Sequence, residues 1–243
     1  MKGSERVNLD RAASIRLMFG KISHRYNLMN MVITLGLEKK WKRYVADIAT
    51  SSRKGLLLDV GSGTGGISME AIRMSRFFSV ISLDFSLPMM KMGRLRQREA
   101  GVNLCSGDAL MLPFADKTFD AVTSGYLIRN VSNPLAAFRE QYRVLKPGGK
   151  AVCLETSPPG FTRLSPIIRW YLRSVIPLLG RAVGRDRDAY GYLAATTESF
   201  MRPDALASLM AEAGFEKIWY KGMMLDTQMI HVGIRPDCNK LDV

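Results

Sequence analysis

Leu56-Leu57-Leu58-Asp59-Val60-Gly61-Ser62-Gly63-Thr64-Gly65, residues 56–65, is an apolar run that ends on an acid and then on three glycines spaced two apart. The run is short enough for a buried strand, and glycines at that point mark a tight turn. Without Cβ atoms, Gly61, Gly63 and Gly65 let the chain bend sharply, and backbone N–H groups at the start of a following helix can approach a ligand closely. The stretch predicts a strand, a ligand-facing turn and a helix.

Downstream the same rhythm repeats. Helical patterns near Gly65–Met74 and Leu87–Ala100 alternate with strands at Val80–Asp84 and Val102–Cys105. Phe119–Ser124 follows, then a helix from Pro134 to about Leu145 capped by Asn133, a stop at Lys146-Pro147-Gly148-Gly149, and a strand at Lys150–Glu155. Alternation of this kind builds a parallel sheet with helices on both faces. A last helix, Asp204–Ala213, ends at Gly214 and leads to strands near Phe215–Tyr220 and Met229–Ile234, which read as an antiparallel closing hairpin. The first fifty residues show helical spacing (Ile15, Met18, Phe19) and no strand alternation. The expected fold is therefore α/β: a Rossmann-like, doubly wound, mostly parallel seven-stranded sheet with a closing hairpin and an N-terminal helical cap. Residues 1–54 are the cap, within the same domain as 55–243, and 160–203 form a helical insertion over an acceptor site.

Composition narrows the function. The 243 residues carry a net charge of +13, and its placement is uneven. Residues 1–54 hold twelve Lys/Arg against four Asp/Glu, and residues 161–187 hold six Arg against Asp186 alone. Two such segments suit an anionic surface, a phospholipid bilayer or a nucleic acid; the plain alternative is a soluble basic surface. No apolar run reaches the length of a spanning helix, and the charged N-terminus is no signal peptide, so a cytoplasmic protein is expected. Cys105, Cys153 and Cys238 are isolated and only His24 and His231 offer imidazoles, so neither a metal site nor a disulfide framework is expected.

The glycine turn also satisfies GxGxxG, which by itself does not separate S-adenosylmethionine from a nicotinamide or flavin. Its neighbours do. Asp59 ends the first strand just before the glycines, where a carboxylate disfavours a pyrophosphate and favours an ammonium or sulfonium. Asp84 closes the second strand and suits a ribose diol. Asp108, after the third strand, suits an adenine amino group. Each could instead be an ordinary turn-capping aspartate, but all three fall at successive strand ends.

Met18-Phe19-Gly20, Arg25-Tyr26-Asn27-Leu28-Met29-Asn30, Asp108-Ala109-Leu110-Met111-Leu112-Pro113-Phe114, Ile128-Arg129-Asn130-Val131, Leu145-Lys146-Pro147-Gly148-Gly149, Asp188-Ala189-Tyr190 and Gly214-Phe215 complete a set. Carrying them, the chain resembles a class I S-adenosylmethionine-dependent methyltransferase, and more closely the menaquinone/ubiquinone biosynthesis C-methyltransferase family, over about Met18 to Arg235. The resemblance implies that Thr64 and Asp84 contact the cofactor, that Asp108 and Ala109 flank its adenine, and that Gly125 takes a binding position where relatives often carry Ser; Gly61 and Gly63 are cofactor-binding candidates from the glycine turn itself. It also implies a role for Arg129 in activating the acceptor, a lipophilic quinol.

Arginine stays protonated and is a poor base, so that role is electrostatic stabilisation or relay through water, against a phenol whose ordinary pKa is about 10. Tyr26 and Asn30, four residues apart on a presumed helix, share a face that can close over the acceptor. Asn130, Tyr190 and His231 are the remaining acceptor-side candidates, although a core tyrosine and a satisfied strand histidine are the simpler accounts of the last two. Ser165-Pro166 opens a helix with Ile168, Tyr171, Val175 and Leu179 at helical spacing until Pro177 bends it, bordered by Arg169 and Arg173. Such a stripe suits peripheral contact with an anionic membrane, and internal packing or a homodimer contact suits it equally.

Two departures fall in the acceptor half: Tyr192-Leu193-Ala194-Ala195-Thr196 replaces Tyr-Leu-Pro-Glu-Ser, and Met224-Leu225-Asp226 replaces Thr-Gly-Gly. Another lipophilic or aromatic acceptor is thus the alternative. A basic nucleic-acid-binding protein on an inactive methyltransferase fold is the third reading, and no aromatic-rich RNA module supports it.

Overall fold

The computed structural model describes residues 27–52, 54–75, 78–159, 165–179 and 195–237. Tyr26, Tyr190 and Cys238, together with much of the basic 161–187 segment, lie outside them. In chain order the elements are α1 (27–33), α2 (Glu38–Ala49), β1 (Gly55–Val60), α3 (Gly66–Met74), β2 (Phe78–Asp84), α4 (Leu87–Glu99), β3 (Asn103–Ser106) and β4 (Phe119–Gly125). A 3-10 turn (Ile128–Asn130), α5 (Pro134–Val144), β5 (Leu145–Thr156), α6 (Ser165–Trp170), a π-helical turn (Tyr171–Val175) and α7 (Ile176–Leu179) follow. A short α8 (195–199), α9 (Pro203–Glu212), β6 (Glu216–Met223) and β7 (Gln228–Ile234) complete the chain.

Seven strands form one sheet in the order β3-β2-β1-β4-β5-β7-β6. The first five are parallel, and β7 runs antiparallel between β5 and β6. Both faces are covered, because alternate residues of the buried strands point oppositely. Leu58, Val122 and Cys153 pack with Phe138 of α5 and with Leu206 and Met210 of α9. On the other face Leu57, Ala121 and Val152 pack with Ala71 of α3 and with Trp41, Val45 and Ala46 of α2. Helix α2 therefore shares the sheet's own core.

The predicted Asn133 cap is present: the Asn133 carboxamide oxygen accepts the Ala136 N–H at 3.0 Å. At two places the structure corrects the sequence reading. The expected stop at residues 146–149 lies inside β5, where the register jumps from Phe119↔Leu145 to Ala121↔Lys150. Arg235 from the far end of the chain bonds across this bulge, with Gly148 N–H on its carbonyl at 2.9 Å and its own N–H on Gly149 O at 2.8 Å. The expected bend at Pro177 is anticipated by the π turn, in which the Ile176 N–H reaches back to Tyr171 O. Since proline has no N–H to give, the ladder widens ahead of it.

Candidate active site

The strand order reverses between β1 and β4, and a crevice at the carboxyl ends of parallel strands is the usual consequence. Here it is walled by Gly61 and Gly63 after β1, Asp84 ending β2, Gly125 ending β4, and Tyr126 and Asn130 beyond it. The glycine loop is held in place from below. Gly61 and Ser62 both donate to Leu83 O, at 2.8 and 3.0 Å, and Gly61, Gly63 and Gly65 all have φ between 57° and 79°. A Cβ on Gly61 would meet Leu127 at 2.8 Å, and one on Gly65 would overlap the Gln97 carboxamide.

Asp59 is placed differently from the expectation. It is 1% exposed and lies beneath the loop, away from the crevice wall. One carboxylate oxygen accepts the Ser68 N–H at 3.1 Å and its hydroxyl at 2.6 Å, and the other accepts Thr123 Oγ1 at 2.9 Å. A chain of hydroxyls continues from Ser68 to Ser82 (2.5 Å) and on to Gln97 (2.6 Å), which backs Gly65. Burial raises the Asp59 pKa to about 6, against the lowering effect of these hydrogen bonds and of Lys42. The group ties β1, β4 and α3 together under the turn. Ser68, Ser82, Thr123 and Gln97 were missed in the sequence because each is an ordinary polar residue until the fold stacks them.

Asp84 does line the crevice. Its oxygens accept Gly63 N–H and Ser86 N–H, each at 2.7 Å, and burial pushes its pKa upward. A carboxylate has about four lone-pair positions, so two backbone bonds leave acceptor capacity for a diol. Among the described residues that wall the crevice, Asp84 is the one with a charged side chain. At the end of the second strand that acid suits a ribose diol, and a sulfonium or ammonium nearby would be attracted to it. The residues thus fit S-adenosylmethionine: a diol acceptor, Cβ-free loop positions and an anionic wall.

Other predicted cofactor residues scatter. Asp108 is exposed and accepts the Leu110 N–H at 2.9 Å in a local turn, with Ala109 buried beside it. Gly125 lies on the crevice wall, where a Cβ would meet Ile67 at 2.9 Å. Thr64 faces the opposite way: its hydroxyl donates to Asn27 Oδ1 at 2.9 Å and borders a cleft of about 420 Å³ between α2 and the start of α3. In that cleft Lys42 and Arg73 are paired with Glu38 and Glu70.

Arg129, predicted for the acceptor side, sits in the 3-10 turn next to the crevice-lining Asn130 but is not itself among the residues that wall the crevice, and its side chain is only 6% exposed. Nη1 donates to Thr156 Oγ1 at 2.9 Å and lies 3.5 Å from Glu155 Oε1, and the guanidinium carbon stands 5.1 Å from the Tyr126 ring centre. Asn130 donates to Tyr126 O at 2.8 Å and faces the crevice. Asn30 does not: it donates to Glu38 Oε1 at 3.2 Å. His231 is corrected too. It lies in β7 opposite Cys153, 1% exposed, with Nε2 2.9 Å from Pro203 O, so it packs under α9 away from the crevice. Burial lowers its pKa. Glu155, which the sequence reading left as the end of a strand, is the buried partner of Arg129.

Comparison with known proteins agrees with this geometry. A model of the ubiE/COQ5 methyltransferase family matches residues 7–235. The ubiquinone/menaquinone biosynthesis C-methyltransferase UbiE of Desulfotalea psychrophila is 41% identical over 235 residues, covering 97% of this chain and 96% of that protein. The demethylmenaquinone methyltransferase of Roseiflexus sp. is 37% identical over 225 residues, covering 93% and 94%. Among solved structures, an S-adenosylmethionine-dependent methyltransferase of Thermotoga maritima superposes with TM-score 0.63 at 21% identity, covering 90% of this chain and 98% of that one, which speaks to the fold.

Proposed function

We propose that this chain, which belongs to the ubiE/COQ5 methyltransferase family, transfers a methyl group to a ring carbon of a demethylmenaquinol-like or related polyprenyl quinol. The donor is S-adenosylmethionine, which supplies an electrophilic methyl on a sulfonium when bound. In this reading Asp84 holds the ribose diol, Asp108 and Ala109 flank the adenine, and Gly61, Gly63 and Gly125 permit close backbone approach. Asp59 and Thr64 act from behind, by fixing the loop.

The single observation that carries the acceptor assignment is Arg129, a buried fixed cation one residue from Asn130 on the crevice wall. A quinol carbon becomes nucleophilic when its ring hydroxyl is ionised, and a guanidinium beside that oxygen favours the phenolate without itself giving up a proton. Asn130 orients the acceptor, and Tyr26 and Tyr190 complete that side.

A second observation favours entry of the acceptor from a bilayer. Leu28, Met31 and Leu35 are exposed along α1 and its following turn, and Trp170 and Leu178 are exposed on the α6–α7 stretch. The two lie side by side, since Tyr171 Oη donates to Ile33 O at 3.0 Å. With Arg169 and Arg173 exposed nearby, this face suits peripheral contact with anionic lipid at the inner surface of the membrane. No helix among the described residues is long and apolar enough to cross a membrane.

Incubation with methyl-labelled donor and extracted reduced quinones tests the proposal. Label in the quinone fraction is expected; label in a different lipid or aromatic fraction instead would select the alternative acceptor. Sedimentation with anionic vesicles and with RNA at several salt concentrations tests the surface, and salt-sensitive RNA binding without vesicle binding would overturn it.

A further inference from the structure

Glu155 is the penultimate residue of β5, next to the turn that carries Arg129, and it is 0% exposed. Its two oxygens divide the work. Oε2 accepts the Arg129 backbone N–H at 3.3 Å, while Oε1 accepts the Thr156 N–H at 2.9 Å and lies 3.5 Å from Arg129 Nη1. Thr156 then accepts from the same Nη1 through its hydroxyl. Both ends of one arginine, main chain and guanidinium, are thereby fastened to the last two residues of a central strand. The Arg129 Nε–H is buried and makes no hydrogen bond among the described residues.

We infer that Glu155 is the positioning residue for Arg129: it fixes the guanidinium on the acceptor side, and its negative charge sets how much of the arginine's field reaches the acceptor oxygen. This rests on the assignment of Arg129 as the acceptor-side charge. A fully buried carboxylate is costly to keep, and hydrogen bonds alone would hold the turn without it. A charge in that place does what a neutral group cannot. It orients a planar cation and partly offsets it, so the site is not strongly cationic before an anion forms in it.

Two measurements on the full chain test this. The first is the Arg129 Nε–Hε signal in a nitrogen-15-labelled sample, assigned by its disappearance in Arg129→Lys, with its exchange rate against water. Glu155→Gln, which keeps the size and one accepting oxygen, should speed that exchange at least about tenfold. Unchanged exchange overturns the inference.

The second is the pH–rate profile of methyl transfer. A residue that served packing alone would lower the plateau and leave the profile in place. Glu155→Gln should lower kcat at least about tenfold, leave KM for the methyl donor within about twofold, and move the limb due to acceptor ionisation to lower pH by at least about half a unit, because Arg129 loses its offsetting charge. Glu155→Asp, with the charge kept but withdrawn by one methylene, should speed exchange and leave the limb where the unaltered protein has it. A limb unmoved in Glu155→Gln overturns the charge-setting role. If Glu155→Gln does not fold, the exchange rate in Glu155→Asp decides, and no change there overturns the inference. If the unaltered protein methylates no reduced quinone, the acceptor assignment falls, while the exchange rates still decide whether Glu155 holds Arg129.

Discussion

Asp59 and Glu155 are the penultimate residues of β1 and β5, the two strands that flank β4, and both are removed from water. Burial raises the pKa of each. Their partners differ. Asp59 is surrounded by hydroxyls and one backbone N–H, with its cation, Lys42, acting only at a distance. Glu155 faces a guanidinium directly. The end of β1 is thus braced by neutral hydrogen bonds and the end of β5 by an ion pair. Among the described residues the crevice wall then offers one acid, Asp84, which the proposed function gives to the donor. In the proposed function the ion pair holds a fixed positive charge for the acceptor side.

If that contrast is right, Glu155→Ala should be the most damaging change, since it leaves the Arg129 cation buried without compensation. A loss of about 3–5 kcal/mol in denaturant unfolding is expected. A loss no larger than that of Asp59→Ala would erase the distinction between the two braces.

Arg129→Lys should come next, and it separates chemistry from folding. Lysine keeps the charge but loses the planar fork that reaches Thr156 and Glu155 together. Turnover should fall by an amount equivalent to about 2.7–4 kcal/mol, the value of one well-placed oxyanion donor, with donor affinity nearly unchanged. Retained turnover would remove Arg129 from the mechanism.

Asp84→Ala probes the cofactor half alone. Calorimetry should show donor and demethylated product binding more weakly by about 1.5–3 kcal/mol, the range for hydrogen bonds to a charged group. Stability should change less than in Glu155→Ala, because Asp84 holds two loop N–H groups and no buried cation.

The most gradual effect is a pH slope. The Asp59 pKa rises on folding from 3.8 to about 6, so between those values the native state binds more protons than the unfolded chain. Stability contributed by this group is full below pH 3.8 and declines as pH rises toward 6, by up to about 1.4 kcal/mol per unit. Asp59→Asn should flatten that part of the stability profile, and identical profiles would mean that Asp59 is not buried as an acid.

The strands were legible because each is a short apolar run closed by a turn, a local property of the chain. The Asn133-Pro134 cap was legible for the same reason. The bulge in β5 was not, because its hydrogen bonds come from Arg235, far along the sequence. Among site residues, Asp84 and Gly61 could be found from their position after strands. His231 and Asn30 carry suitable chemistry but are turned to Pro203 and Glu38. No local pattern distinguishes a polar side chain that faces a crevice from one that faces a neighbouring helix.

The sequence by itself determined the alternation of elements, the ligand-facing glycine turn, the acid that follows the second strand and the family the chain resembles, since all of these are written in residues close together. Tertiary structure alone decided which carboxylates lie open and which are buried. Asp59 joins Ser68 and Thr123, and Glu155 joins Arg129, across 9, 64 and 26 positions of chain. Burial and pairing at those separations arise only when the sheet assembles and excludes water from its own strand ends.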